Sequence, residues 1–320
     1  MSLLSGYRLL DAAGLLGAPF IRMMESFGAE IAPFTPAGLA DADFLADTYT
    51  PMERTALGID PDRLQAAHPR LIHTSISYFG GDGPYAEMRG SELVASAMSG
   101  ALRTVGYEDR APVKEALDAC GFHACAIAIA GTMAAHYERG TSGLGQHVDV
   151  SVQEAGFSRG TNGVVVWQFD KRKLSRSGFR LRYGKAAVRC IWELADGSCF
   201  HSLMSGRLGA PANAALSKWI DEAGFDNPMQ GVDWLAYNRS TLPAETREVW
   251  ETAIDAFFRS RTKAEIASEG LRRGLNAAVA QEPEDILADA HLRARGFWRE
   301  LALEDGTRVE TPAYFVKGVL

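Results

Sequence analysis

Two carboxylates are the leading candidates for chemistry in this chain, Asp118 and Glu92. Asp118 directly precedes a run of small apolar residues, Ala119 to Ala135, that reads as a long helix buried inside the protein, with the aspartate at its N-cap. A carboxylate there accepts hydrogen bonds from the unpaired amides of the first turn and faces the positive end of the helix dipole, so it is held ionised and aimed. Such a group can do covalent chemistry as a nucleophile. Taken alone, the segment fits a plain helix cap better. Glu92, in Arg89-Gly90-Ser91-Glu92, reads alone as a solvated residue at a helix start. Other reactive types form no constellation. Cys120, His123 and Cys125 do not converge on one ion along a helix, and Cys190 and Cys199 add no framework spacing. There is no Walker loop, no HExxH and no full GxGxxG, since Gly143-Leu144-Gly145 follows a helix instead of opening one.

The elements that must position these residues alternate between strand and helix. Tyr7 to Leu10 reads as a strand, Pro19 opens a helix that Gly28 stops, and Ile31 to Phe34 is extended. A short helix over Pro61 to Ala67 and a strand over Arg70 to Tyr78 follow, then the loop Phe79 to Tyr85. The long helix ends at Gly140-Thr141-Ser142-Gly143, before the alternating strand His147 to Val152. This order favours a largely parallel sheet covered on both faces. After about Gly184 the texture changes to a hairpin around Ala195-Asp196-Gly197. Amphipathic helices over 214–223, 245–260 and 263–273 come next, then a last hairpin turning at Asp305-Gly306.

With 320 residues and 47% hydrophobic content, the chain can build one large domain plus a smaller one. A net charge of -7 without a long Lys/Arg run argues against nucleic-acid or membrane-surface binding, and leaves room for one basic patch facing a phosphorylated small ligand. The opening Met-Ser-Leu-Leu-Ser-Gly has no signal-peptide character, so a cytoplasmic location with reduced thiols is expected.

Several segments read together are more specific than any one of them. These are Asp11 to Pro19, Phe79-Gly80-Gly81-Asp82-Gly83-Pro84-Tyr85, Arg89 to Gly100, Asp118, Thr141 to Ser151, and Pro283 to Trp298, in that order. The ordered set covers most of the chain and resembles the class III CoA-transferase family, CaiB/BaiF. The resemblance implies an α/β fold with a Rossmann-like, mainly parallel large domain and a smaller α+β domain. It places the large domain at 1–184, the small one at 185–280 and a returning segment at 281–320. It also implies a dimer of interlocked chains, or pairing with a paralogous subunit.

By the same resemblance the chain moves CoA between an acyl-CoA donor and a carboxylic acid acceptor, with Asp118 as nucleophile and an aspartyl covalent intermediate. Backbone amides at the helix start would hold the developing oxyanion. Glu92 is the acidic partner, and Arg89 meets a phosphate or the adenine of CoA. Leu15, Leu16, Gly17, Thr48, Tyr49 and Ser91 fall at positions lining the CoA site. Leu16 stands where transferases often carry a glutamine. Ser91 stands where the related racemases carry a histidine, which disfavours two-base racemisation. CoA enters as substrate, and no metal or redox cofactor is implied. Alternative readings are a non-catalytic or weakly active subunit of a hetero-oligomeric transferase and, further off, an acyl-CoA racemase or isomerase. Arg176, Arg180 and Arg182 are candidates to receive a second substrate carboxylate, or else form an exposed basic loop.

Overall fold

Strand and helix alternate through the first half of the chain. A computed structural model describes residues 3–159, 162–183 and 186–313. The chain divides into two compact units, Met1–Arg176 with Ala290–Leu320, and Ser177–Asp289.

The larger unit holds a five-stranded, all-parallel sheet in the order β2-β1-β3-β4-β5. Its elements are β1 (Arg8–Ala12), α1 (Gly14–Ser26), β2 (Glu30–Pro33), β3 (Phe44–Asp47), α2 (Pro51–Leu57), α3 (Pro61–Ala67), β4 (Ile72–Ser77), α4 (Glu92–Met98), α5 (Ala119–Ser142) and β5 (His147–Ser151). Then come α6 (Val152–Arg159) and α7 (Asn162–Asp170). Parallel strands demand crossovers, and these put apolar layers on both faces. On one face Leu9, Phe44, Ile72, Ile76 and Val150 pack with Phe20 and Met24 of α1 and with Cys120, Ala124, Ala128 and Ala135 of α5. On the other, Leu10 and Leu45 pack with Leu39, Ile59 and Leu64. The link from β2 over β1 to β3 holds only a 3-10 turn, Pro36–Asp41, whose Leu39 supplies the cover a helix would otherwise give.

Two helices differ from the sequence reading. Pro19 lies inside α1 and does not open it. Its missing N–H leaves the Leu15 carbonyl without a helical partner, a tolerable loss where Leu15 is 95% exposed to water. α5 is only half buried. Cys120, Ala124, Ala128, Thr132, Ala135 and Arg139 form the buried stripe, while Phe122, Ile127 and Tyr137 face outward. It is long and apolar enough to cross a membrane by composition, yet that stripe packs on the sheet. Gly143 ends it in the left-handed conformation at φ 78°, which a side chain would strain.

Beneath the second face lies a buried polar group. Asp47 accepts from Arg54 Nε at 3.0 Å and from the Ser75 hydroxyl at 2.9 Å, and it pairs with the His73 ring. His147 Nε2 reaches the same hydroxyl at 3.0 Å. Asp47, Arg54 and His73 are 0%, 2% and 3% exposed. Burial pushes the Asp47 carboxyl up, but His73 and Arg54 outweigh it and hold the group below its ordinary 3.8. Burial, with the charges of His73 and Arg54, brings His147 down to about 4.

The smaller unit carries the β6–β7 pair, Arg180–Tyr183 with Ala186–Arg189, and an antiparallel sheet in the order β10-β9-β8. Its strands are β8 (Ile191–Leu194), β9 (Gly197–His201) and β10 (Ala277–Ala280). α8 (Gly206–Glu222) and α9 (Ala244–Arg259) close an aromatic core around Trp192, Trp219, Trp250, Phe257 and Phe258. The helix expected over 263–273 is interrupted by a π turn, Ile266–Gly270, between α10 (Lys263–Glu265) and α11 (Leu271–Arg273). After it comes α12 (Pro283–Ala288), while α13 (Ala290–Ala294) opens the segment that belongs to the larger unit. The final hairpin, β11 (Trp298–Ala302) with β12 (Arg308–Pro312), belongs to the larger unit.

Asp47→Ala leaves the Arg54 and His73 groups buried without their anion, and it is expected to cost about 3–5 kcal/mol in urea unfolding. An unchanged midpoint would remove the polar group from the stability of the sheet. His201, 0% exposed beside Phe258, is held down to about 4 by burial. The unfolded chain takes up that proton first, so the smaller unit should lose up to about 3 kcal/mol as pH falls from about 6.5 to 4. Fluorescence of the four tryptophans in its core reads this directly.

Candidate active site

Ser91 caps α4 by accepting from Val94 N at 3.4 Å, which fixes Glu92 as the first helical residue. Gly90 just before it lies against the Tyr78 ring so closely that a Cβ would sit 2.4 Å from it, so only glycine fits. From this position Glu92 turns inward, 8% exposed, and its two oxygens accept from Cys120 N at 2.7 Å and Gly121 N at 3.0 Å. A carboxylate on these amides gains from the dipole of a 24-residue helix as well as from two charge-assisted bonds.

This corrects the sequence reading of Asp118. It occupies the N-cap position, but its side chain makes no capping bond, because Glu92 already holds the amides it was expected to use. Asp118 instead projects into solvent, 68% exposed, with Lys114 Nζ 2.9 Å from Oδ1. Glu92 is likewise not the solvated helix-start residue its local sequence suggests.

The remaining sequence candidates fall into two groups. Leu16, Gly17 and Thr48 gather beside the helix start. Thr48 Oγ1 donates to Ala13 O at 3.1 Å, a Cβ on Gly17 would lie 3.6 Å from Thr48, and Cys125 Sγ donates to Leu16 O at 3.3 Å. Tyr49 is drawn away from them, its amide on Asp47 and its ring on the second-face core. Ser91 is spent as a cap, while Arg89 stays exposed. Leu15 borders a groove of about 510 Å³ whose walls include Pro19, Arg22, Phe122 and Arg299. Phe122 is one helical turn beyond Asp118 on the same helix. Two of the three arginines proposed for a second carboxylate are committed elsewhere. Arg176 donates to the carbonyls of Tyr107 and Arg110 at 2.9 and 2.8 Å, and Arg180 grips Glu251.

Sequence reasoning missed three neighbours. Burial first, then the charges of Asp118 and Glu92, hold the Tyr78 phenol above its ordinary 10.0, so it stays protonated. Arg159 of α6 grips both oxygens of Glu115 and anchors the loop that leads to Asp118. Lys114 has the ion pair already described. Burial, then Glu92, pushes the Cys120 thiol up, which makes it a poor nucleophile. Among the described residues no cluster of three or more metal-ligating side chains occurs.

Glu92→Ala is expected to release the Cys120 and Gly121 amides to exchange, and to lower stability by about 2–3 kcal/mol. Hydrogen exchange resolved at these two positions checks it, and unaltered protection there would refute the lock.

A family model described as CoA-transferase family III matches residues 39–318. The segment bearing Leu15, Leu16 and Gly17 lies outside that match. A succinyl-CoA:(R)-benzylsuccinate CoA-transferase subunit of Thauera aromatica is 28% identical over 81% of this chain and 62% of its own length. A formyl-CoA:oxalate CoA-transferase of Streptomyces avermitilis is 36% identical over 36% of this chain and 28% of its own. The chain thus spans less than two thirds of both relatives. The crystal structure of a CaiB/BaiF family protein from Brucella suis shares the fold with a TM-score of 0.78 at 16% identity, over 99% of this chain and 93% of that one. With the family match running from the 3-10 turn before β3 past the final hairpin, the chain belongs to CoA-transferase family III.

Proposed function

We propose that this chain transfers CoA from an acyl-CoA to a carboxylic acid, with Asp118 as the covalent nucleophile. The observation that carries this reading is an unburied carboxylate at the mouth of α5, left free because Glu92 occupies the amides behind it. A capping aspartate would be immobilised and partly neutralised by its hydrogen bonds. Asp118 is engaged only by Lys114 at Oδ1 and by none of these amides, and a bound thioester brings the acyl carbon to it by orientation. Glu92 acts as a positioning group that fixes the helix start.

Leu16, Gly17 and Thr48 give this side of the site its wall, and Leu15 links it to the groove that holds Arg22 and Arg299. We assign to that groove part of the CoA thioester, since it offers apolar surface for the pantetheine and guanidinium groups for phosphate. Arg89, exposed two residues before the Ser91 cap, is our further candidate to meet a phosphate. The large domain of this reading is the parallel-sheet unit and the small one the aromatic-cored unit. Four buried free cysteines suit a reducing cytoplasm.

A second reading, a subunit acting with a paralogous chain, is favoured by the Thauera aromatica relative, itself named a subunit. Exposed Phe122, Ile127 and Tyr137 on α5, with Trp167 and Phe169 on α7, suit association with a second chain of either kind.

Incubation of the purified chain with a panel of acyl-CoAs, followed by quenching and peptide mass spectrometry, should reveal a CoA-sized adduct on the peptide bearing Asp118. Asp118→Ala should abolish it. No adduct with any donor would end the stand-alone transferase reading and leave the subunit reading.

A further inference from the structure

The first turn of α5 has no amide left for an oxyanion. Ala119 N bonds to Leu117 O at 2.9 Å, Cys120 N and Gly121 N to Glu92, and Phe122 N to Asp118 O at 2.9 Å. The backbone hole expected at the helix start is therefore closed, and a charge developing on Asp118 must be met by a side chain. Arg159 is spent on Glu115, and Tyr78 offers a neutral phenol. Lys114 alone among these touches the reacting group, its Nζ 2.9 Å from Oδ1 and 3.2 Å from the Glu115 carbonyl.

We propose that Lys114 is a catalytic residue, its ammonium stabilising the oxyanion that forms on Asp118 itself. The inference rests on the transferase reading and deepens it. In the first step an Asp118 oxygen forms a bond to the acyl carbon, the C–S bond breaks, and the CoA thiolate leaves a mixed anhydride. The thiolate then forms a C–S bond to Asp118 Cγ. The Cγ=O electron pair moves onto the Asp118 oxygen, and its return expels the donor carboxylate, which leaves the aspartyl-CoA thioester. The acceptor carboxylate repeats these two steps in reverse order and restores the free Asp118 carboxylate. No proton is transferred in any of them. One negative charge migrates among carboxylate, oxyanion and thiolate, so a fixed positive charge serves better than an acid. Lys114 is already in contact with an oxygen of the carboxylate that takes this charge in both attacks on Cγ, by the CoA thiolate in the donor half and by the acceptor carboxylate in the return half.

The test compares the wild type with Lys114→Ala, Lys114→Gln and Lys114→Arg by quenched-flow mass spectrometry of the Asp118 adduct, using succinyl-CoA and acetyl-CoA as donors. Adduct formation in the alanine and glutamine variants should slow by about 10²- to 10³-fold at saturating donor. Lys114→Arg should recover most of the rate, and the half-saturating donor concentration should change little. Lys114 is exposed, and such an ion pair contributes little to stability, so unaltered melting of the variants accompanies this result. A wild-type rate in Lys114→Ala, or a loss confined to donor affinity, overturns the role of Lys114 and leaves the transferase standing. Absence of adduct in the wild type itself overturns both.

Discussion

The Glu92 carboxylate on the first turn of α5 is the interaction on which the rest of the site depends. It ties α4 to α5 across the 20 residues of chain between them and satisfies two donors that would otherwise compete for any nearby anion. It also decides what the neighbouring carboxylate can do. With the dipole and the amides already engaged, Asp118 makes no capping bond, and a lysine is its ionic partner. One buried anion thus sets the state of the exposed one proposed as nucleophile.

The sheet below works by the same economy. Its first face is packed by hydrocarbon, whereas its second is partly held by an internal salt bridge and two imidazoles. Such a group contributes little net energy against an apolar equivalent but is intolerant of losing one member. The charge of Asp47 balances its buried cationic neighbours without access to solvent, and burial together with those charges holds His147 down to about 4.

Much of this was legible in the chain. The helix over Pro61 to Ala67 begins with Asp60 as cap and proline at its first position, signals contained in neighbouring residues. The His147 strand and the hairpin at Asp305-Gly306 are likewise local. The family pattern singles out Asp118 and Glu92, but the helix amides expected to bind Asp118 bind Glu92 instead. The sequence marks Asp118 as the cap because an aspartate beside a helix is the near option. The distant glutamate wins through a turn made possible by Gly90 and Tyr78, which no spacing rule reveals. Arg176 and Arg180 failed as substrate receptors for a related reason, since their partners are carbonyls and a carboxylate far along the chain. Pro19 misled because a proline tolerated at the start of a helix is also tolerated where its lost bond faces water.

The short crossover after β2 has a consequence for solubility. Among the described residues β2 pairs only with β1, so its other side is an open sheet edge. Open edges recruit further strands and seed aggregation. This one is four residues long, carries the exposed Glu30 at its start and ends at Pro33, whose ring nitrogen has no hydrogen to donate. Because the 3-10 turn leads the chain away at once, the edge offers an incoming strand too few donors to hold it. The sheet can stop here without a covering strand.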